Sequence, residues 1–221
     1  FHSVCFKSYC IISASLAYDL LLLPGYYHYH EFLRRFPEAK AKNLKVVGWP
    51  RHDDLLVGKY KKDKVLSALG LDPCKPTILY APTKNAYING RLFPSCFPED
   101  SLVLTQLGEF ISREGYNLII KLHPSSVETI RNMKLQSVSE KYGIYWLPKK
   151  VEKYYVDPTS YLAAADLLIS DVSGIITDYL VLNRPMIFFD PDNISDWGYV
   201  NDVPGSWRPG PVVNDLTGLF K

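Results

Sequence analysis

Residues 166–190 read DLLISDVSGIITDYLVLNRPMIFFD, and this stretch spells a strand, a small-residue turn, a helix and a second strand in succession. Leu167-Leu168-Ile169-Ser170 and Met186-Ile187-Phe188-Phe189 are short apolar runs, the pattern of parallel strands buried on both faces. Between them Ile175, Tyr179 and Leu182 recur at i, i+4 and i+7, which predicts one apolar helix face. Asn183-Arg184-Pro185 stops the helix, because proline cannot continue it. The turn Asp171-Val172-Ser173-Gly174 carries hydroxyl, glycine and capping chemistry. At the carboxyl end of a parallel strand, such a turn gathers free backbone N–H groups at the positive end of a helix dipole, a seat for phosphate. Taken alone, it reads first as the cap of a structural helix. The surrounding chemistry widens that reading, since Asp171 and Asp178 lie seven residues apart with Ser173 and Thr177 between them. Asp178 is predicted one turn into the helix, its carboxylate toward the mouth that the Ser173 hydroxyl faces. A carboxylate repels phosphate, so it is expected to meet the hydroxyls of a ribose or polyol, and phosphate with polyol implies an activated nucleotide donor.

Working outward, further strand and helix patterns alternate. Thr77 to Tyr80 predicts a strand whose carboxyl edge is Ala81-Pro82-Thr83-Lys84, where open α/β sheets bind ligands. The segment Tyr87 to Asp100, with Pro94 and Pro98, is expected to be a long loop of functional kind. A helix from Leu102 to Glu114 leads through Gly115 into a strand from Asn117 to Lys121. His123 follows, aimed out of the sheet by Pro124 and succeeded by Ser125 and Ser126, which favours a ligand role over a buried structural one. Gly143 to Leu147 predicts another strand, and a helix is expected to start at Asp157-Pro158-Thr159. After Asp190 the tail reads as irregular until a last helix begins at Asn214-Asp215-Leu216. Asp190-Pro191-Asp192 has the letter pattern of a metal-binding D-x-D, but with proline inside it reads as a turn, and no metal is expected.

On the amino-terminal side, Ala17 to Leu23 predicts a buried strand, Tyr26 to Phe36 a helix and Lys45-Val46-Val47 another strand. Gly48 to Asp54 reads as a loop, in which Arg51 either pairs with Asp53 or holds a phosphate. His28, His30 and His52 lack carboxylates at ligand spacing, which argues against a metal. Lys59 to Gly70 predicts a short amphipathic helix with Val65, Leu66 and Leu69 inward and Gly70 at its end. The alternation predicts an α/β chain with a parallel doubly wound domain from about Pro73 onward. The expected division is residues 1–58 as the carboxyl-terminal part of an incomplete Rossmann-like domain, 59–75 as a linker helix and 76–221 as a nucleotide-donor domain.

Composition sets limits. A net charge of +2 over 221 residues is too mild to argue for nucleic acid, and 47% hydrophobic residues permit a large core. The chain opens at Phe1 with no charged leader, and Leu20-Leu21-Leu22-Leu23 is far below the ~20 residues of a membrane span. A fragment of a soluble protein is therefore the expectation. Cys5, Cys10, Cys74 and Cys96 have no zinc-like spacing and read as free, buried thiols of a reducing cytoplasm. Sixteen tyrosines suit polyol surfaces and packed cores equally.

DLLISDVSGIITDYLVLNRPMIFFDPD resembles the corresponding stretch of the CDP-glycerol glycerophosphotransferases, which prime and polymerise teichoic acids and related capsules. Gly48-Trp49-Pro50-Arg51-His52-Asp53 is similar to that family's G-x-P-R-x-D, Ile78-Leu79-Tyr80-Ala81-Pro82-Thr83 to its ILYAPT, Lys121-Leu122-His123-Pro124 to its K-x-H-P, and Pro209-Gly210-Pro211-Val212 to its P-G-P-x. The resemblance runs from His2 to about Leu219. It implies a Rossmann-like fold of GT-B type, with two domains across a cleft. It also implies His2 as catalytic base, with Ser3 where the family has glycine, and His123 as the second catalytic residue. Arg51, Thr83, Lys84, Lys121, Pro124, Asp171, Ser173, Gly174, Thr177 and Asp178 are then the donor-binding set. No cofactor or metal is expected. The implied donor is CDP-glycerol or a similar CDP-polyol, and the acceptor a hydroxyl of a lipid-linked compound or polymer. The implied setting is the cytoplasm, peripheral at the inner face of the plasma membrane, without nucleic-acid partners. Two alternatives stay open: a nucleotide-sugar glycosyltransferase or epimerase of similar fold, and a nucleotide-binding remnant without catalysis.

Overall fold

In a computed structural model of the chain, the described residues are 11–39, 43–83, 86–88, 91–93, 101–123, 126, 133–147, 157–191 and 208–221. Strand β1 (Leu21–Leu23) and β2 (Leu44–Val46) pair in parallel around helix α1 (Tyr26–Arg35), whose Phe32 is fully buried with Leu23 and Leu44. Helices α2 (Pro50–Leu56) and α3 (Lys62–Leu69) follow. Then come β3 (Thr77–Tyr80), a hairpin of β4 (Ala86–Ile88) and β5 (Arg91–Phe93), and α4 (Ser101–Glu114). Next are β6 (Asn117–Lys121), α5 (Met133–Tyr142), β7 (Tyr145–Leu147) and α6 (Thr159–Ala164). The chain closes with β8 (Leu167–Ser170), α7 (Ile175–Leu180), β9 (Met186–Phe189), β10 (Val212–Val213) and α8 (Leu216–Leu219).

Six of these strands form one sheet in the order β10-β9-β8-β3-β6-β7, every pairing parallel. Counted from β3, this is the doubly wound order 3-2-1-4-5-6, with the reversal of winding between β3 and β8. Because side chains alternate along a strand, each central strand feeds two cores. Ile78, Tyr80, Leu118, Ile120 and Ile169 pack on the side of α4 and α5, against Leu104, Leu107, Ile111 and Leu135. Leu79, Ile119 and Leu168 pack on the other side, against Leu162 of α6, Ile176 and Tyr179 of α7, Leu66 of α3 and Leu55 of α2. The helices α2 and α3 therefore share the core of the large sheet. At its amino-terminal edge Asp166 accepts from Lys62 Nζ at 2.5 Å and from the Thr77 N–H at 2.8 Å, which fixes α3 to the start of β3.

Several elements differ from the sequence expectation. The strand expected from Ala17 is confined to Leu21–Leu23, and a 3-10 turn occupies Ser13–Ala17; Leu20 and Leu22 are more than half exposed. Gly48 to Asp54 is not a loop throughout. Gly48 turns the chain at φ +81°, Pro50 takes the first helical position, and Arg51 to Asp54 lie in α2. The segment after Tyr87 contains a hairpin, in which Ile88 pairs with Arg91. Val212-Val213, expected to be irregular, adds a sixth strand beside β9. Cys74 is free and exposed rather than buried, whereas Cys5, Cys10 and Cys96 lie outside the described residues.

Candidate functional site

The carboxyl edge of the sheet collects the loops that follow β3, β6 and β8. Two hydrogen-bond clamps shape the reversal point. Ser170 Oγ, at the end of β8, donates to the Ala81 carbonyl at 2.7 Å, joining the ends of the two strands. One residue on, the buried Asp171 carboxylate accepts the Thr83 N–H at 2.9 and 2.8 Å and the Ser173 N–H at 3.0 Å. A charged acceptor serving two backbone donors roughly doubles the strength of each bond relative to a neutral one. Asp171 thus shapes both loops.

Ser173 and Gly174 open α7 as expected. No side chain caps that helix end, however, and Gly174 has ordinary helical angles of φ −63° and ψ −15°, so the turn does not require a positive φ of it. The half-buried Thr177 spends its hydroxyl proton on the Gly174 carbonyl at 2.7 Å. Asp178, buried on the same helix, has its carboxylate on two side chains of α2: Arg51 Nη1 donates to Oδ2 at 3.2 Å, and His52 Nε2 lies 3.1 Å from Oδ1. A buried carboxylate needs such partners, because an unpaired charge out of water is strongly disfavoured. Between the two pairings that the sequence left open for Arg51, the structure adds a third, to Asp178 and, at 3.9 Å, to Asp157.

Asp157 also holds the start of α6, accepting the Thr159 N–H at 3.1 Å and its hydroxyl at 2.6 Å. Nearby, at the end of β6, burial brings the Lys121 ammonium down to about 8; the Arg51 charge adds to this and Asp157 opposes it. His123 stands two residues further along, half-buried at the same edge, its carbonyl accepting the Ser126 N–H at 2.8 Å. The structure therefore gathers Arg51, Thr83, Lys121, His123, Asp171, Ser173, Gly174, Thr177 and Asp178 along one edge of the sheet. His2, Lys84 and Pro124 lie outside the described residues.

Sequence reasoning gave His52 and Ser170 no role at the site and read Asp157 only as a helix cap. Proline at the first position of α2 was the available signal for His52, since it places Arg51 and His52 together on one helical turn. Nothing local announces their partner, which lies 127 positions beyond Arg51.

The family model described as CDP-glycerol:poly(glycerophosphate) glycerophosphotransferase matches residues 12–221. A teichoic acid glycerol-phosphate primase of Bacillus subtilis is 32% identical over 153 residues, which are 69% of this chain and 35% of the relative. A teichoic acid ribitol-phosphate polymerase, TarL of Staphylococcus aureus, is 27% identical over 193 residues, 82% of this chain and 31% of its own length. The solved structure of the wall teichoic acid polymerase TagF superposes with a TM-score of 0.63 at 25% identity, over 92% of this chain and 47% of that one. A UDP-GlcNAc 2-epimerase of Methanocaldococcus jannaschii shares the fold, with a TM-score of 0.51 at 15% identity over 91% of this chain and 52% of that one. The chain spans roughly a third of the length of these two curated relatives. With the motif segments falling on the edge of the sheet where a doubly wound fold binds its ligand, the chain belongs to the CDP-glycerol:poly(glycerophosphate) glycerophosphotransferase family.

Proposed function

We propose that the intact protein transfers glycerol phosphate, or a related polyol phosphate, from a CDP-activated donor to a hydroxyl of a lipid-linked or polymeric acceptor during teichoic acid or capsule synthesis. The observation that carries this reading is the Asp171 clamp at the reversal between β3 and β8, in a chain of this family. It shapes two ligand-facing loops at the edge where doubly wound sheets hold nucleotides.

In this reading the acceptor oxygen attacks the phosphorus that bears the polyol. A new P–O bond forms, the bond to the bridging diphosphate oxygen breaks, and CMP leaves with the electron pair. The acceptor proton passes to a base, for which His2 is the candidate. His123, Lys121 and the Ser173-Gly174 turn offset the charge that grows on the CMP phosphate, and Arg51, Thr83, Lys84, Pro124 and Thr177 complete the donor cradle. Association with the inner face of the plasma membrane fits a lipid-linked acceptor, and no helix among the described residues is long and apolar enough to cross a membrane.

Calorimetric titration of the intact protein with CDP-glycerol and with UDP-sugars, together with an assay for CMP release, tests the reading. Tighter binding of CDP-glycerol and acceptor-dependent CMP release are expected. A preference for UDP-sugars would overturn it in favour of nucleotide-sugar chemistry, for which the shared epimerase fold provides a scaffold.

A further inference from the structure

The sequence led us to expect the Asp178 carboxylate to face ligand hydroxyls, yet Arg51 and His52 take its two oxygens. His52 occupies a position that the motif G-x-P-R-x-D leaves open, so its chemistry belongs to this chain and not to the motif. Asp178 is 6% exposed at its side chain, whereas His52 retains 22%, so the imidazole bridges from a buried anion toward the surface of the site edge. Arginine has only donors, which commits Oδ2 to Arg51. Oδ1 is then an acceptor for His52, and in the neutral ring that bond places the proton on Nε2 and leaves Nδ1 as an acceptor.

Resting on the donor reading above, we propose that His52 Nδ1 accepts a hydrogen bond from a hydroxyl of the donor's polyol or ribose, and that Asp178 is the positioning residue that fixes the His52 ring and its tautomer. The carboxylate thus acts on the ligand through the histidine, and its negative charge, balanced by Arg51, stays away from the phosphates. The two sources of hydroxyl differ in which ligand carries them: glycerol is present in CDP-glycerol and absent from CDP, whereas the ribose 2′-hydroxyl is absent from 2′-deoxy-CDP.

His52→Phe keeps the ring and removes both nitrogens. Asp178→Asn keeps the shape but must turn its oxygen to Arg51 and its NH2 to His52, which reverses the tautomer. In the intact protein, calorimetry with CDP-glycerol, CDP and 2′-deoxy-CDP should show His52→Phe weakening the hydroxyl-bearing ligand about three- to tenfold, the range of one net hydrogen bond. If the polyol is the partner, CDP binding is unchanged; if the ribose 2′-hydroxyl is, CDP loses the same factor and 2′-deoxy-CDP does not; if the ribose 3′-hydroxyl is, CDP and 2′-deoxy-CDP both lose it. Asp178→Asn should weaken binding in the same ligand-selective way, but have no further effect once His52→Phe is present. Nitrogen NMR of the His52 ring should show the proton on Nε2 in the parent and on Nδ1 in Asp178→Asn. Variants that lower the melting temperature while every ligand binds as in the parent would overturn the inference and reduce the pair to a structural staple. Failure of the unmutated protein to bind CDP-glycerol would instead overturn the donor reading, and this inference with it.

Discussion

The Asp171 carboxylate grips the Thr83 N–H with both oxygens, at 2.9 and 2.8 Å, and so ties the loop after β3 to the turn after β8 across the reversal of the sheet. Replacing it by alanine strands this donor and that of Ser173, and a buried donor left without an acceptor costs roughly 1–3 kcal/mol. Asp171→Ala is therefore expected to lower the urea midpoint and to weaken nucleotide binding more than tenfold. Asp171→Asn, which retains one oxygen, should fall between it and the parent. An alanine variant with the parental midpoint and affinity would show that the two loops hold their shape unaided.

Lys121 gives the protein a pH dependence of definite sign. Its folded ammonium loses its proton near 8, against an ordinary value of 10.5 in the unfolded chain, so between these values the unfolded state binds more protons. Stability contributed by this residue accordingly rises with pH across that window and is flat below it. Unfolding measured from pH 7 to 10.5 should show a rise that Lys121→Met abolishes. Donor affinity should move the other way, falling as pH passes about 8 and the cation is lost, while Lys121→Arg keeps affinity level. Equal pH profiles for parent and Met variant would refute both statements.

For His123 two outcomes separate chemistry from packing. If it offsets charge on the leaving CMP, His123→Ala lowers the single-turnover rate by ~10²–10³-fold, as loss of one such donor does. Donor binding and melting temperature should change far less. A lower melting temperature with unchanged activity per folded molecule would instead assign it to the frame of the site.

Gly210 lies so near β9 that an added Cβ would sit 2.1 Å from the Met186 carbonyl oxygen. Gly210→Ala must push β10 away from β9, with a loss of about 1–3 kcal/mol as for other overpacked positions. The Phe188 and Asp190 amides, bonded to Pro211 and Val213 at 2.8 and 2.9 Å, should then exchange hydrogen faster than the β3 and β6 amides. Uniform exchange rates across the sheet would contradict this.

The strands of the sheet centre were legible because each is a continuous apolar run: Thr77–Tyr80, Asn117–Lys121, Leu167–Ser170 and Met186–Phe189 match the structure at both ends. Gly70 and Gly115 marked helix ends by their positive φ, and Asp215 caps the last helix, accepting the Gly218 N–H at 2.7 Å. Val212–Val213 escaped notice because two residues carry no periodicity, and their strand character comes from the neighbouring β9. In α2, glycine and proline suggested a loop, although proline at a first helical position favours the helix. Within the site, residue types were readable and pairings were not. The partner of Asp178 depends on how α2 packs, and a pattern confined to neighbouring residues contains no information on that.

The central pairing of β3 with β8 also governs how the protein reaches its native state. Ser170 meets Ala81 across 89 positions of sequence, and the intervening chain contributes β6 and β7 to the far half of the sheet. Closing so large a loop carries an entropic cost that must be met before the contacts across it return free energy, and chains rich in such distant pairings fold slowly. The Asp171 clamp comes into being only when that loop closes. Nucleotide binding during refolding should therefore appear with the slowest structural phase, after the local helices have formed, and nucleotide present from the outset should slow unfolding rather than speed folding.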